Sequence, residues 1–403
     1  MKIIYLHQYF NTPSMSGGTR SYEMARRLVA AGHEVYMITS LRESIPGIKE
    51  NGLSVEAGIK VYWLPVPYSN NMGFYTRIKA FLCFAYLSAI KAAEIKADVL
   101  FASSTPLTIA IPALYASKRN SIPMVFEVRD LWPELPIAVG ELKNPVFIFL
   151  ARKLEAIAYR NSKRIVALSE GMRDGITKIG YPKEHISVIP NSCDLDLFDI
   201  PKEASMAFRK KYDWLGNKPL ILYCGALGLI NGVRYMVDLA QKMYDLNPEV
   251  RFLVVGDGRE KESVQKYARE LGVLNKNFFM LPPVPKKEMP IILKAADLTT
   301  SFVIDVKEIW NNSANKFFDS LAAGVPIAIN YEGWQAELLR KTGAGIVLEP
   351  KVTIHTVRKI NEALQDNNWL VSAQAAAHRL AKQEFSRDLL AEKLERVLNE
   401  AIS

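Results

Sequence analysis

Residues 2–40 read KIIYLHQYFNTPSMSGGTRSYEMARRLVAAGHEVYMITS. A short apolar run at 2–7 is followed by a loop, an amphipathic run at 18–31 and a second apolar run at 34–40. Gly32 separates the last two runs, where it suits the end of a helix. A strand, a helix and a strand in this order predict a parallel βαβ unit.

The same alternation of short apolar and longer amphipathic runs continues to the end of the chain. Strands are predicted near 2–7, 34–40, 61–66, 99–103, 124–128, 164–169, 186–190, 220–225, 251–256, 277–281, 298–303, 325–330 and 345–348. Helices are predicted near 18–31, 75–96, 106–118, 145–160, 170–179, 231–246, 259–271, 286–295, 314–323, 333–341, 354–365, 368–383 and 387–401. The segment 191–211 is polar and lacks a clear period, which predicts a linker. We therefore expect an α/β protein of two doubly wound domains, 1–195 and 196–386, with ligand sites at the strands' carboxyl ends, facing a cleft.

Composition excludes several other classes of protein. With 403 residues the chain exceeds one hydrophobic core, and no run approaches the ~18 apolar residues of a membrane span. Three widely spaced cysteines suit a reducing compartment, and the first apolar run is too short for a signal peptide, so we expect a cytoplasmic protein. No nucleic-acid-binding module is apparent, so no nucleic-acid partner is expected.

The net charge of +9 is unevenly distributed. Residues 1–194 hold 23 Lys and Arg against 16 Asp and Glu, whereas residues 195–403 hold 28 against 26. The first half therefore favours an anionic partner, such as a phosphorylated ligand or an acidic membrane surface. The alternative is a basic, soluble protein with no such partner.

The first domain offers several candidate ligand-binding residues. Gly17 and Gly18 precede a helix, where backbone N–H groups can approach a phosphate, although a flexible helix entry explains them equally well. His7 and Arg20 lie near the same strand and helix ends and are candidates on the acceptor side. The strand predicted at 124–128 is followed by four candidate residues, Arg129, Asp130, Trp132 and Glu134. A cation, carboxylates and a stacking surface at a strand end suit a polar, ring-shaped ligand; the alternative is an ion-paired loop capped by Trp132.

In the second domain the richest stretch is 311–326, NNSANKFFDSLAAGVP. Its Asn and Ser residues can cap a helix, and Lys316 and Asp319 share a helix face. A helix start with a lysine suits a diphosphate, and an aspartate one turn later could accept hydrogen bonds from ribose hydroxyls. The alternative is a capped helix with an i,i+3 ion pair. Further candidates for donor binding are Asn311, Ser313, Asn315 and the strand-end glycines Gly225 and Gly256.

The segment Asp194-Leu195-Asp196 has the DxD pattern of metal-dependent sugar transferases. It lies in the predicted linker, away from any predicted strand end. We interpret it as a turn and expect no metal and no cofactor.

Together these motifs resemble the retaining glycosyltransferase family 4, which has the GT-B fold. The resemblance spans nearly the whole chain and includes Gly17-Gly18, 32–35, 191–194, 256–258, 295–297 and 318–324. Within that family, 129–134 and 315–319 look like bacterial O-antigen and capsule amino-sugar transferases, of the type that transfers L-fucosamine. The resemblance implies two Rossmann-like domains, with a final helix, 387–403, crossing back to the first.

The resemblance also implies a UDP-sugar donor held by the second domain and an acceptor held by the first. The family usually has two glutamates seven residues apart, and here Asn311 and Asp319 occupy those positions. The usual diphosphate-binding Arg and Lys correspond to Ala226 and Asn231. Lys316 is our candidate replacement, with Arg129 or Arg20 reaching across the cleft.

The expected chemistry is retaining transfer in which preorganised charge stabilises the departing phosphate, with Lys316, Arg129 and Asp130 as catalytic candidates. Asp130 would orient the acceptor hydroxyl. A nucleotide-sugar epimerase of the same fold and an inactive sugar-nucleotide-binding protein stay open as alternatives.

The acceptor is expected to be a sugar on a lipid (undecaprenyl) diphosphate, at the inner face of the cytoplasmic membrane. The basic first half, the amphipathic run 74–96 and a basic cluster beside 147–150 favour an anionic membrane surface. That cluster comprises Arg152, Lys153, Arg160, Lys163 and Arg164. The alternative is that run 74–96 only packs against its own sheet.

Overall fold

The computed structural model describes residues 1–15, 17–42, 52–69 and 72–403. The chain forms two compact units: Met1–Pro190 together with Arg387–Ser403, and Asn191–Ser386. The last helix thus belongs to the first unit, and the division comes five residues before the boundary expected from the sequence.

The first unit contains an eight-stranded sheet in the order β3-β4-β2-β1-β5-β6-β7-β8. Its strands are β1 (Lys2–Leu6), β2 (Glu34–Ser40), β3 (Leu53–Glu56), β4 (Ile59–Leu64), β5 (Val99–Ser103), β6 (Met124–Val128), β7 (Arg164–Ala167) and β8 (Ile186–Val188). Its helices are α1 (Arg20–Ala30), α2 (Phe74–Glu94), α3 (Ala110–Asn120), α4 (Glu134–Ala138), α5 (Pro145–Arg160), α6 (Glu170–Lys178) and α15 (Arg387–Ile402). All neighbouring strands are parallel except the β3–β4 pair.

Helices cover both faces of this sheet, which is why β1 and β5 are apolar along almost their whole length. On one face, α2, α3 and α5 contribute buried residues to a core shared with Ile4 and Leu100. On the other face, α1 and α15 pack over Ile3 and Tyr5. Ion pairs between these two helices' ends, such as Arg27 Nε to Asp388 Oδ1 at 2.5 Å, accompany this packing.

The second unit contains a fully parallel six-stranded sheet in the order β11-β10-β9-β12-β13-β14. Its strands are β9 (Leu220–Cys224), β10 (Arg251–Val255), β11 (Phe278–Leu281), β12 (Leu298–Ser301), β13 (Ile327–Ile329) and β14 (Gly345–Val347). Its helices are α7 (Lys202–Lys210), α8 (Arg234–Leu246), α9 (Lys261–Glu270), α10 (Met289–Lys294), α11 (Asn315–Ala322), α12 (Trp334–Thr342), α13 (Ile354–Gln365) and α14 (Asn367–Gln383).

The expected pair of doubly wound α/β domains is confirmed, but the linker prediction is wrong. The segment 191–211 contains helix α7, whose sequence KEASMAFRK is short and mostly polar. The sequence analysis also missed α4 and the edge strand β3, whose Leu53 and Val55 are exposed. Among the described residues, no helix combines the length and the apolar character that crossing a bilayer requires.

The strand orders fix where a ligand can bind in each unit. In the first sheet the chain's winding reverses between β1 and β5, and in the second it reverses between β9 and β12. In open α/β sheets, ligands bind at the strands' carboxyl ends at such a reversal.

Candidate active site

In the first unit, the carboxyl ends of β1, β5 and β6 bring His7, Ser103, Ser104 and the segment 127–130 to the reversal point. The sequence analysis identified His7 and Arg129 from their positions after strands. It missed the two serines, although two hydroxyls at a strand end are a visible signal.

Arg20 and Glu127 form a buried ion pair beneath this edge, with both side chains about 1% exposed. Arg20 donates to Glu127 Oε1 from Nη2 at 2.8 Å and from Nε at 3.1 Å. It also donates to the carbonyl oxygens of Ile189 and Pro190, at 2.9 and 2.6 Å. Burial alone would raise the pKa of the Glu127 carboxyl, but the Arg20 and Arg129 charges bring it below its ordinary value. The Arg20 guanidinium thus joins the start of α1 to the ends of β6 and β8 and is almost fully buried, while its expected role on the acceptor side stays a prediction.

His7 connects Arg129 to helix α1. Arg129 Nη1 donates to His7 Nε2 at 3.0 Å, and His7 Nδ1 lies 2.8 Å from Ser21 Oγ. Because a guanidinium can only donate, Nε2 must accept, so the imidazole is neutral and its proton is on Nδ1. Burial and the Arg129, Arg42 and Arg20 charges hold the pKa of His7 well below its usual value. His7 is therefore suited to orienting Arg129 and not to donating a second proton.

Asp130 is half-buried directly after Arg129. Desolvation raises the pKa of its carboxyl to about 6, although the Arg129 charge opposes the shift. The Ser104 hydroxyl accepts from the Arg129 backbone N–H at 3.0 Å and so fixes this turn. A carboxylate with a raised pKa at a strand end can accept a hydrogen bond from a sugar hydroxyl.

Trp132 and Glu134 both make contacts within the first unit, and their acceptor-side role stays a prediction. Trp132 packs against the core on the α2, α3 and α5 face. The Glu134 carboxylate makes an exposed ion pair with Arg152 Nε at 3.3 Å. These contacts correspond to the alternative in which the loop is stabilised by its own packing and ion pair.

Gly17 and Gly18 are exposed before α1. Gly17 has φ of +121°, and an added Cβ would lie 2.7 Å from Asn11 Nδ2. The same amide donates to the Gly18 carbonyl oxygen at 3.1 Å. The conformation of the loop explains the glycine at 17, while phosphate binding there stays a prediction.

In the second unit, Gly225 and Gly256 end two adjacent strands with their backbones in contact. A Cβ on Gly256 would lie 1.9 Å from the Gly225 carbonyl oxygen, and Gly256 has φ of +155°. The Gly225 N–H donates to the Val255 carbonyl at 3.0 Å. Gly256 is therefore required by backbone packing, whatever further contact it makes with a donor.

Lys316 lies at the reversal point between β9 and β12, in the first turn of α11. Its Nζ donates to Tyr223 Oη and to Asn231 Oδ1, each at 2.9 Å, and lies 4.4 Å from the centre of the Tyr223 ring. Among the residues that the structure describes, no carboxylate forms an ion pair with this ammonium. Desolvation lowers the pKa of Lys316 to about 8. The i,i+3 ion pair considered as an alternative is not formed by the described atoms.

The start of α11 is not capped as the sequence suggested. The N-cap residue is Ala314, and no side chain among the described residues accepts from the N–H groups of the first turn, although Asn312 Oδ1 accepts from the Ala314 N–H at 3.2 Å. Ser313 Oγ instead accepts from the Asn191 backbone N–H at 2.9 Å, so Ser313 is buried and anchors the preceding loop. Trp334 Nε1 donates to the Asn312 carbonyl at 3.0 Å and holds the same loop. An uncapped helix start beside a lysine suits an anion.

Asn311, Asn315 and Asp319 are half-buried around this helix start. Burial raises the pKa of the Cys224 thiol, at the end of β9, to about 12. The charge of the nearby Asp319 carboxylate adds to this rise. Asp319 thus faces the same strand end as Lys316.

Asp194, from the DxD pattern, precedes a short 3-10 turn and pairs with Lys286 Nζ at 3.6 Å. Among the described residues, no group of three or more His, Cys, Asp and Glu side chains could hold a metal ion. Metal independence stays a prediction.

Both units match known glycosyltransferase families. Residues 17–192 match the family described as "Glycosyl transferase 4-like domain", and residues 205–387 match "Glycosyl transferases group 1". The chain is a glycosyltransferase. The glycosyltransferase is 22% identical over 333 residues to a Pseudomonas aeruginosa protein named as the probable glycosyltransferase WbjE, with 81% of each chain covered. It is 24% identical over 303 residues to WcaI of Escherichia coli K12, named for colanic acid biosynthesis, covering 71% of this chain and 73% of WcaI.

Among solved structures, the glycosyltransferase is similar to Anabaena HepE, whose crystal structure contains UDP and glucose. The TM-score is 0.74 at 17% identity, and 99% of each chain is covered. This likeness supports the GT-B fold.

The burial of the Arg20–Glu127 pair predicts a large loss of stability for Glu127→Gln. The substitution leaves the Arg20 charge buried without its carboxylate, which typically costs about 3–5 kcal/mol. The free energy of unfolding of the first unit is measured by denaturant titration. The control is Glu94→Gln, which removes an exposed pair with Lys91 in the same unit and should cost less than about 1 kcal/mol. Equal losses in the two variants would contradict the structural role of the buried pair.

Proposed function

We propose that this glycosyltransferase moves a sugar from a UDP-sugar to a lipid-diphosphate-linked sugar, with retention of configuration, in the synthesis of a cell-surface polysaccharide. The observation that carries the proposal is the Lys316 ammonium, held by neutral partners at the reversal point of the second sheet. The names of WcaI, for colanic acid biosynthesis, and of the HepE complex, with UDP and glucose, support the substrate classes.

The donor diphosphate is assigned to Lys316 and to the uncapped first turn of α11. Asp319 accepts hydrogen bonds from the ribose hydroxyls, and Asn311 contacts the sugar. In the transfer the bond between the sugar's anomeric carbon and the diphosphate oxygen breaks, and negative charge develops on that oxygen. A preorganised cation and helix dipole stabilise this charge, typically the largest contribution to catalysis. We assign no metal to this step.

The acceptor is assigned to the first unit, at the carboxyl ends of β1 and β6. Arg129, oriented by His7, supplies a cation, and Asp130 accepts a hydrogen bond from the attacking hydroxyl. That hydroxyl attacks the face from which the diphosphate leaves, and its proton passes to the departing phosphate oxygen. This same-face reaction retains the anomeric configuration without an enzyme nucleophile.

The finer donor assignment is an N-acetylated 6-deoxy amino sugar such as N-acetyl-L-fucosamine. It rests on the resemblance of residues 129–134 and 315–319 to amino-sugar transferases such as the L-fucosamine transferase type WbuB.

We also assign membrane binding to the exposed sides of α2 and α5, which cover the same face of the first sheet. Helix α2 buries Phe84 and Ala85 in the core yet exposes other large apolar residues, so packing and attachment can share the helix. The exposed apolar residues of the two helices are Tyr75, Leu82, Tyr86, Ile90, Val146, Phe149, Leu150 and Ile157. Lys153 Nζ lies 4.7 Å from the Phe149 ring centre, next to exposed Arg152. Apolar residues rimmed by cations suit peripheral binding at the inner face of an anionic membrane.

Lys316→Ala should lower kcat/KM by about 100-fold or more, because it removes a preorganised electrostatic donor. The rate of transfer from UDP-sugars is measured with EDTA present, and exposed Lys341→Ala in the same unit is the control. A nearly normal rate in folded Lys316→Ala would contradict the assignment. A requirement for added Mg²⁺ or Mn²⁺ would contradict metal independence, and conversion of the UDP-sugar without an acceptor would indicate an epimerase.

Asp319→Ala should weaken the binding of UDP alone, because the lost carboxylate contacts the ribose. Asn311→Ala should leave UDP affinity nearly unchanged and weaken only the binding of the UDP-sugar, which makes it the matched control. Calorimetric titration with both ligands separates these effects. Unchanged UDP affinity in the Asp319 variant would refute the ribose assignment.

Sedimentation with liposomes tests the membrane assignment. Anionic vesicles should bind the protein at low salt and release it at high salt, because each basic residue near the surface contributes about 1 kcal/mol. Lys153→Glu should reduce the bound fraction, whereas Lys341→Glu in the second unit should not. Equal binding to neutral and anionic vesicles, or none at low salt, would remove the electrostatic basis for the assignment.

A further inference from the structure

The Lys316 ammonium is held by two hydrogen-bond acceptors that carry no charge. Tyr223 Oη comes from β9, and Asn231 Oδ1 comes from the short turn Leu229–Asn231 that follows it. An ammonium has three N–H donors, so these two contacts leave one for a ligand. Gly225 lies beside this ammonium and has no side chain; a Cβ added to it would lie 3.9 Å from Lys316 Nζ.

Both acceptors are themselves fixed in direction. The Tyr223 hydroxyl donates its proton to the Ala226 carbonyl at 2.6 Å, so its lone pairs are directed to Lys316. The turn that contains Asn231 is docked on the end of β12 by the hydrogen bond from Ile304 N–H to the Ile230 carbonyl, at 3.0 Å. The next residue, Gly232, packs closely against Val303: a Cβ added to Gly232 would lie 2.8 Å from the Val303 carbonyl carbon. The position of the ammonium is therefore set by a rigid strand end and a rigid turn.

The neutrality of these partners matters for binding an anion. A carboxylate at either position would form an ion pair that a diphosphate must displace, whereas a hydroxyl and an amide oxygen orient the cation and leave its full charge. The titratable groups facing this ammonium include Cys224 and the Tyr223 hydroxyl on β9. Burial raises the pKa of both, so both are neutral at physiological pH. Asp319, one turn further along α11, faces Cys224.

We propose that Tyr223 and Asn231 are positioning residues of the transferase: they hold the Lys316 ammonium in place for the donor's diphosphate without neutralising it. This inference rests on the proposed assignment of the diphosphate to Lys316. It assigns a role to two residues that touch neither sugar nor ribose in the proposed site. A residue that acts only through Lys316 should have no effect once Lys316 is gone.

The test is a double-mutant cycle on UDP affinity, measured by calorimetry above pH 7. Asn231→Ala should weaken UDP binding roughly tenfold, the size expected for a lost hydrogen bond to a charged group. In the Lys316→Ala background the same substitution should have no further effect. Tyr223→Phe keeps the ring but loses the hydroxyl, and it should show the same pattern. This variant provides the test if Asn231→Ala does not fold. Asn247→Ala, which removes an amide bonded to Asn361 elsewhere in the unit, is the control and should leave affinity unchanged.

A pH profile distinguishes positioning from a merely structural role. Wild-type UDP affinity should be highest below pH 8 and fall as the pH rises through the range where Lys316, with its pKa of about 8, loses its proton. Asn231→Asp should shift this fall to higher pH, because a carboxylate stabilises the ammonium, and should weaken binding at pH 7 by competing for it.

The outcomes separate the two proposals. If Lys316→Ala itself leaves UDP affinity unchanged, the assignment of the diphosphate to Lys316 fails. A second outcome is that Lys316→Ala weakens UDP binding, the Asn231 and Tyr223 substitutions weaken it further in the Lys316→Ala background, and Asn231→Asp does not shift the pH profile. That outcome overturns only the positioning role.

Discussion

The first unit depends on the ion pair between Arg20 and Glu127. It joins the start of α1 to the ends of β6 and β8, and Ser103 at the end of β5 donates to the second Glu127 oxygen at 2.5 Å. Burying two charges is costly unless each is fully hydrogen-bonded, and here several donors and acceptors surround the pair. Four elements, α1, β5, β6 and β8, meet at this ion pair. The pair therefore helps to position His7, Arg129 and Asp130, although none of these three residues belongs to it.

The two units treat their buried cations in opposite ways. In the first, Arg20 has a carboxylate partner and is sealed from solvent, so its charge serves the fold. In the second, Lys316 has a phenol and an amide as partners, so its charge is oriented and still available. In the proposed function, the cation that binds the leaving group is the one that neutral partners orient without neutralising its charge.

The doubly wound fold was predictable because parallel strands buried on both faces leave uninterrupted apolar runs, such as 99–103 and 220–224. Helix α7 was missed because it is only nine residues long, mostly polar, and buries Ser205 alone. At the site, Lys316 and Arg129 could be named from their positions at a helix start and a strand end. Their partners could not: Tyr223 looks like any core residue of β9, and an arginine at the start of a helix, such as Arg20, gives no sign that it will be buried. Burial and side-chain direction are tertiary properties that local sequence does not carry.

The start of α11 bears on the stability of the second unit. A capping side chain typically stabilises a helix by about 1 kcal/mol, and here the Ser313 hydroxyl, next to the N-cap residue, accepts instead from the Asn191 N–H. In the proposed site, a bound diphosphate would accept hydrogen bonds from this helix start and from the Lys316 ammonium. The folded population of the second unit is therefore thermodynamically linked to its ligand, because any molecule that binds the native state alone stabilises it by mass action. If the proposed donor binds there, a shortage of sugar nucleotide would also lower the stability of the second unit.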